Sequence, residues 1–161
     1  MKMQLRTGIG YDVHQLKDNA PFWLGGINIE HTKGAVGHSD ADVLIHAICD
    51  ALLGAANLGD IGTHFSDQDA KYKGIDSKIL LADVCKLMES NNYSIVNIDS
   101  SIVLEKPKIS SFISMMKKVL AETMNITQDQ LSIKATTSEH MGFVGREEGI
   151  SAFATTLIIK N

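Results

Sequence analysis

The chain has 161 residues, 44% hydrophobic and 21% charged, a globular composition that excludes a disordered or fibrous chain. Its formal charge of -4 excludes a general nucleic-acid binder, whose phosphate contacts need a basic face. A domain of this length buries roughly 70% of the surface its unfolded chain exposes, so it folds without disulfides or metal, and any metal is free for chemistry.

The N-terminal stretch Met1 to Gly8 alternates charged and apolar residues, and no run of about 18 apolar residues occurs, so neither a leader nor a membrane partner is expected. The cytoplasm is the expected compartment. Cys49 and Cys85 lie far apart without a C-x-x-C pair and read as reduced core residues. Only Pro21 and Pro107 interrupt the chain, and no repeat or linker divides residues 1–161, which read as a single domain.

Residues 5–16 read as a strand and residues 22–29 as a short hairpin turning at Gly25-Gly26. From residue 40 to about 56 the apolar set Leu44, Ala47, Ile48, Ala51, Leu52 and Ala55 recurs at helical spacing, with Ser39 placed to cap it. Leu80, Val84, Leu87 and Met88 mark a second helix; Phe112, Met116, Val119 and Leu120 mark a third. Strands are expected near residues 95–104, 131–137 and 150–159. This order predicts an α+β fold, a mixed sheet covered on one face by helices. The aperiodic stretches 57–74 and 138–149 are candidate site loops.

Asp12 and His14 are two apart on a predicted strand, so both side chains leave one face. His46 lies on the first helix outside its apolar stripe, four residues from Asp42 and from Asp50, either of which could reach its ring. Two imidazoles and a carboxylate suit Zn²⁺, and three ligands leave a position open for chemistry. Asp50 is the candidate to orient the His46 ring. Taken singly, each of the three has an ordinary structural reading, and their spacing is a weak pattern.

Gly8 and Gly10 begin a dinucleotide-like fingerprint, but Val13 stands where its third glycine belongs and no helix follows. Asp67 and Asp69 resemble the start of a calcium loop, yet Tyr72 replaces the required glycine. His38 and Ser39 lie at the expected helix start, where free amides favour an anion. Thr136, Thr137 and Glu139 follow a strand end, and such hydroxyls beside a carboxylate suit a phosphate-bound Mg²⁺ or Mn²⁺.

Taken together, GIGYDVH, GHSDADVLIHAICDALLGAANLGDIGTHFSD, EKPKI and KATTSEHMGFVGREEG resemble the 2-C-methyl-D-erythritol 2,4-cyclodiphosphate synthase family over essentially the whole chain. The resemblance implies cyclisation of 4-diphosphocytidyl-2-C-methyl-D-erythritol 2-phosphate with release of CMP, in non-mevalonate isoprenoid biosynthesis. It implies Asp12, His14 and His46 as Zn²⁺ ligands, Glu139 as the residue holding a second divalent ion (Mg²⁺ or Mn²⁺), and His38 and Thr137 as transition-state stabilisers.

By the same match Ser39, Asp60, Gly62, Phe65, Ser66, Asp67, Gln68 and Asp69 would contact the methylerythritol phosphate side of the substrate, and Asp12, Val13, His14, His38, Ile61, Phe143 and Arg146 would be further substrate-binding positions. Leu104, Glu105, Lys106, Pro107, Lys108, Ile109 and Ser110, with Ala135, Thr136, Thr137, Ser138 and Glu139, would hold the cytidine diphosphate. A homotrimer with active sites between subunits is implied, and Tyr11, Phe143, Arg146 and Glu148 would line a cavity on its axis. Glu147 stands where the family commonly has Gly and Val144 where Thr is frequent, both beside that expected axis; Leu16 and Ala41 differ conservatively. A metal-dependent phosphohydrolase and a non-catalytic module sensing anions through Arg146 are the rival readings.

Overall fold

The computed structural model describes residues 4–161, so the first three residues of the N-terminal stretch discussed above lie outside it. In chain order the elements are β1 (Gln4–Asp18), β2 (Trp23–Leu24), β3 (Ile27–Asn28), β4 (Lys33–Val36), α1 (Val43–Ala56), α2 (Ile61–His64), α3 (Ser77–Ser90), β5 (Tyr93–Val103), α4 (Ile113–Met124), β6 (Leu131–Thr136), α5 (Gly142–Gly145) and β7 (Gly149–Lys160). Five strands form one sheet in the order β4-β1-β7-β5-β6. Only β5 and β6 are parallel, so the sheet is mixed, as expected. Separate from it, β2 and β3 form the hairpin, with Gly25 (φ 60°) and Gly26 (φ 78°) supplying the two left-handed residues that a type I′ turn requires.

Alternation along β1 separates the two sides of the sheet. Gly8, Gly10, Asp12, His14 and Leu16 turn toward α1, while Ile9, Tyr11 and Val13 are 70%, 46% and 43% exposed on the other side. Phe153 of β7, the register partner of Tyr11, is exposed there too. Helices therefore cover one face and leave an apolar patch on the other. α1 packs on β1, β7 and α3, and its residues from Val43 to Ala56 are buried almost all round, as befits a helix sandwiched between a sheet and a second helix layer.

The start of α1 corrects two expectations. The helix begins at Val43 and its cap is Asp42, whose side chain accepts from the Ile45 N–H; Ser39 lies outside the helix and caps nothing. Of the amides expected to draw an anion to this helix start, that of Ile45 is already taken by a buried carboxylate. Asp42 also accepts from Gly25 N (3.0 Å) and Gly26 N (2.7 Å), tying the hairpin turn to the helix end. Burial pushes its carboxyl pKa up, against the pull of these amides. Asp42→Ala leaves three buried N–H groups without partners at about 1 to 3 kcal/mol each, so the expected loss is at least about 3 kcal/mol, read from urea unfolding. An unchanged midpoint would contradict it.

The stretch 57–74 contains α2, capped by Asp60, and a 3₁₀ turn at Ala70–Tyr72; the stretch 138–149 contains α5. β4, four residues paired with the end of β1, is too short for its periodicity to register in sequence. Both cysteines are free, and burial pushes the Cys85 thiol up to about 12 and raises Cys49 as well, so neither is a nucleophile. Among the described residues no helix is long and apolar enough to cross a membrane.

Candidate active site

Two glycines bring the strand against the helix. A Cβ on Gly8 or Gly10 would fall well inside contact distance of the Ala51 or Ala47 carbonyl oxygen, so β1 and α1 touch backbone to backbone. Each two-residue step along β1 (about 6.6 Å) keeps pace with a four-residue step back along α1 (about 6 Å). The next two positions on that face, Asp12 and His14, carry side chains that fill the space beside His46.

Asp12 Oδ2 lies 2.9 Å from His14 Nε2 and 3.0 Å from His46 Nδ1, and the two ring nitrogens are 3.0 Å apart. Hydrogen atoms can satisfy at most two edges of this triangle: two N–H groups aimed at the carboxylate face each other across the third. One cation accepts all three lone pairs, and the donor set suits zinc at about 2.0 to 2.2 Å per bond. Burial alone would raise the Asp12 carboxyl pKa, but hydrogen bonds from His14 and His46 and the attraction of both rings hold it well below the usual range. Burial lowers the basicity of His46, and the bond to Asp12 with its charge more than restores it, so its pKa is raised.

Asp50 does not orient His46. Helical side chains lean toward the N-terminus, so the ring points away from Asp50, which instead accepts from Ile61 N at 2.8 Å. The second ring nitrogen, Nε2, meets Ser77 Oγ at 2.9 Å and Ser39 Oγ at 3.0 Å. Ser77 carries no motif in the sequence; only the packing of α3 against α1 brings it here, with Asp40 behind it.

A cleft of about 390 Å³ opens beside the triad, lined by His14, His38, Ser39, His46, Ile61, Gly62, Phe65 and Asp67. Tyr72, Ile75 and Leu80, which no site motif marks, complete it, with the Tyr72 ring edge-on to Phe65 at 5.5 Å between centroids. His38 Nε2 lies 3.3 Å from the Asp69 carbonyl. Asp60, Ser66, Gln68 and Asp69 shape the loop and do not line the cleft: Asp60 caps α2, Ser66 Oγ accepts from Gln68 N, and Asp69 pairs with Lys71. Val13 points to the open face of the sheet.

A second pocket, about 180 Å³, is lined by Leu104, Glu105, Pro107, Lys108, Ile109 and Ser110 together with Ala135, Thr136 and Thr137. Glu105 holds its rim: Oε1 accepts from Ser138 N, Ser138 Oγ and His140 N, and Oε2 lies 3.5 Å from His140 Nδ1. Burial works to raise the Glu105 pKa, but these donors outweigh it and lower it. The Glu105 carboxylate is thereby committed to the loop that carries Glu139, whose Oε1 accepts from Thr137 Oγ1 at 3.1 Å.

Lys106 pairs with Glu147 at 2.9 Å. Glu147 has φ 56°, the left-handed region that glycine adopts more readily than glutamate. Val144 is buried, so its side chain packs inside the chain's own fold. Arg146 is held bidentate by Glu148 on the surface, beside the partly exposed Phe143. The cleft and the second pocket share no lining residue: His14, His46, His38 and Ser39 gather in one, Thr137 in the other with Glu139 at its rim.

The YgbB family profile matches residues 5–159. The chain is 60% identical to the 2-C-methyl-D-erythritol 2,4-cyclodiphosphate synthase of Parabacteroides distasonis over 97% of each chain. Against the synthase of Cytophaga hutchinsonii it is 56% identical over 98% of this chain and 99% of the relative. Its fold superposes on a CDP complex of IspF from Plasmodium falciparum with a TM-score of 0.87 at 33% identity, over 100% of this chain and 99% of the other. It also superposes on the bifunctional IspDF from Campylobacter jejuni with a TM-score of 0.95 at 36% identity, covering 99% of this chain and 43% of that one. With a family match along nearly its whole length and relatives of this identity, the chain belongs to the YgbB family, that of the 2-C-methyl-D-erythritol 2,4-cyclodiphosphate synthases.

Proposed function

We propose that the Asp12, His14 and His46 triad is the Zn²⁺ centre at which this chain closes the ring of 4-diphosphocytidyl-2-C-methyl-D-erythritol 2-phosphate, with release of CMP. The observation that carries the reading is the triangle of donors about 3 Å on each edge, open on the side of a cleft that also holds His38 and Ser39. Glu139 would hold a second ion, Mg²⁺ or Mn²⁺, and the two cations together would neutralise charge on the phosphates.

The 2-phosphate attacks a phosphorus of the same molecule, so no side-chain nucleophile is needed. Anion approaching anion is the obstacle, and donors aimed at the reacting oxygens lower it. His38 and Ser39 would donate from the cleft to the attacking phosphate, and Thr137, whose hydroxyl proton here goes to Glu139, would donate to the diphosphate once the Glu139 carboxylate turns to its ion. Holding the folded substrate can supply up to roughly 7 to 11 kcal/mol of the barrier through orientation. That makes positioning the main task of the lining residues. The backbone and side chains of Leu104 to Ser110 and Ala135 to Glu139 would hold the cytidine diphosphate.

A homotrimer completes the reading. The cleft and the second pocket are separate in one subunit, which supports an active site assembled from the cleft of one chain and the pocket of its neighbour. The open sheet face with Ile9, Tyr11, Val13 and Phe153 supports burial against other copies, and Tyr11, Phe143, Arg146 and Glu148 would then line the axis. The whole chain acts as one catalytic domain in the cytoplasm, a reading that its two free thiols support.

The test is incubation of the purified chain with the diphosphocytidyl substrate, Zn²⁺ and Mg²⁺, followed by ³¹P NMR. CMP and a cyclic diphosphate are expected, with specific activity falling as dilution dissociates the trimer. An open-chain product would favour a hydrolase, and a fully active monomer would refute the shared site.

A further inference from the structure

His46 turns Nδ1 to the corner shared with Asp12 and His14, which leaves Nε2 for the protein to hold. Two hydroxyls reach it, Ser77 Oγ at 2.9 Å and Ser39 Oγ at 3.0 Å, and they differ in what they can offer. Ser77, the first residue of α3, is fully buried; its hydroxyl donates to Asp40 Oδ1 and its backbone N–H to Asp40 Oδ2 at 2.9 Å. A serine has one proton to give, so with that proton on the carboxylate Ser77 can only accept from His46. Ser39 is half-buried and lines the cleft; its oxygen accepts from Ala41 N at 3.2 Å, and no carboxylate claims its proton.

We propose that Ser77 and Asp40 are positioning residues of the metal centre. Ser77 accepts the Nε2–H of His46, and Asp40 fixes the direction of that bond by taking the Ser77 proton. The ring is thereby held with its Nδ1 lone pair toward the cation, and the Ser39 hydroxyl keeps its proton for a phosphate oxygen in the cleft. The inference rests on the reading of Asp12, His14 and His46 as a metal centre. A carboxylate behind a metal-binding histidine strengthens it as a ligand, and here a serine relays the effect. Backbone bonds keep the relay in place: Gly74 N donates to His38 O at 2.7 Å and Asp40 N to Ile75 O at 3.0 Å, clamping the approach to α1 onto the start of α3.

The test compares the full-length wild type with Ser77→Ala, Ser77→Thr and Asp40→Asn. Zinc affinity is measured by competition with a chromophoric chelator. Exchange of the His46 ring N–H is followed by ¹H–¹⁵N NMR of the zinc-loaded protein, and the thermal midpoint is taken without metal. Ser77→Ala is expected to weaken zinc binding about 10- to 100-fold and to expose the ring proton to exchange. Asp40→Asn should weaken binding by a smaller factor, and Ser77→Thr, which keeps the hydroxyl, should restore it.

Should the threonine variant fail to fold, the Asp40→Asn result decides. Ser77→Ala that binds zinc like the wild type, with the ring proton still protected, would overturn the relay and assign Nε2–H to Ser39. A wild type that does not bind zinc would overturn the metal reading itself, and the relay with it.

Discussion

His46→Ala is expected to lose its bound zinc and to lower turnover by more than about 100-fold, since changing even a residue behind a metal ligand costs 10- to 100-fold. His46 is the only helical member of the triad, and without it the carboxylate of Asp12 and one imidazole remain, too few for a tetrahedral ion with an open position. Stability should hardly change. The ring lies at the cleft, Ser77 keeps its bond to Asp40, and the metal-free protein is relieved of two imidazole nitrogens 3.0 Å apart. Elemental analysis, steady-state kinetics and a thermal melt check the three parts. Asp12→Ala and His14→Ala should behave alike, and stoichiometric zinc in all three would refute the centre.

Gly10→Ala should be severely damaging for a single added methyl group. The new Cβ would meet the Ala47 carbonyl oxygen and the Ala51 nitrogen, backbone atoms in the middle of a buried helix that no rotamer change can move. Overpacking a core costs about 1 to 3 kcal/mol when side chains can adjust, and here the relief needs β1 and α1 to part, so a loss above about 3 kcal/mol is expected. Because β1 carries Asp12 and His14 while α1 carries His46, separation of the two elements also opens the triangle. A soluble variant should therefore show both a lower urea midpoint and weaker zinc binding. Gly54→Ala is the control, since a Cβ there meets nothing nearer than the Ile9 oxygen at 4.0 Å.

What the sequence revealed follows from which signals are local. Period two over β1 placed Asp12 and His14 on one face, and period 3.6 placed His46 off the apolar stripe of α1; the structure joins them because Gly8 and Gly10 allow the close approach. The Gly-Gly hairpin was equally legible. Partners separated by long stretches of chain were not. Asp42 serves Gly25 and Gly26, sixteen or more residues away, and Ser77 reaches His46 from thirty-one, so neither follows from spacing. The assignment of the cap to Ser39 failed because Ser39, Asp40 and Asp42 are all good capping residues. The choice between them depended on which carboxylate the hairpin would bury. Glu105 shows the same limit: its place in EKPKI marked a pocket, but its carboxylate organises the loop after β6.

The alternation of β1 has a consequence for how the chain can vary in length. Between Gly8 and His14 every second side chain faces the helix, so an inserted or deleted residue there would send one or both ligands to the bare side of the sheet or put Ile9, Tyr11 or Val13 against the Ala47 and Ala51 carbonyls. Insertions in the stretch 57–74 shift no strand register. Related chains should therefore tolerate a change of length in that stretch, where it spares the cleft-lining residues, better than any change in the count from Gly8 to His14.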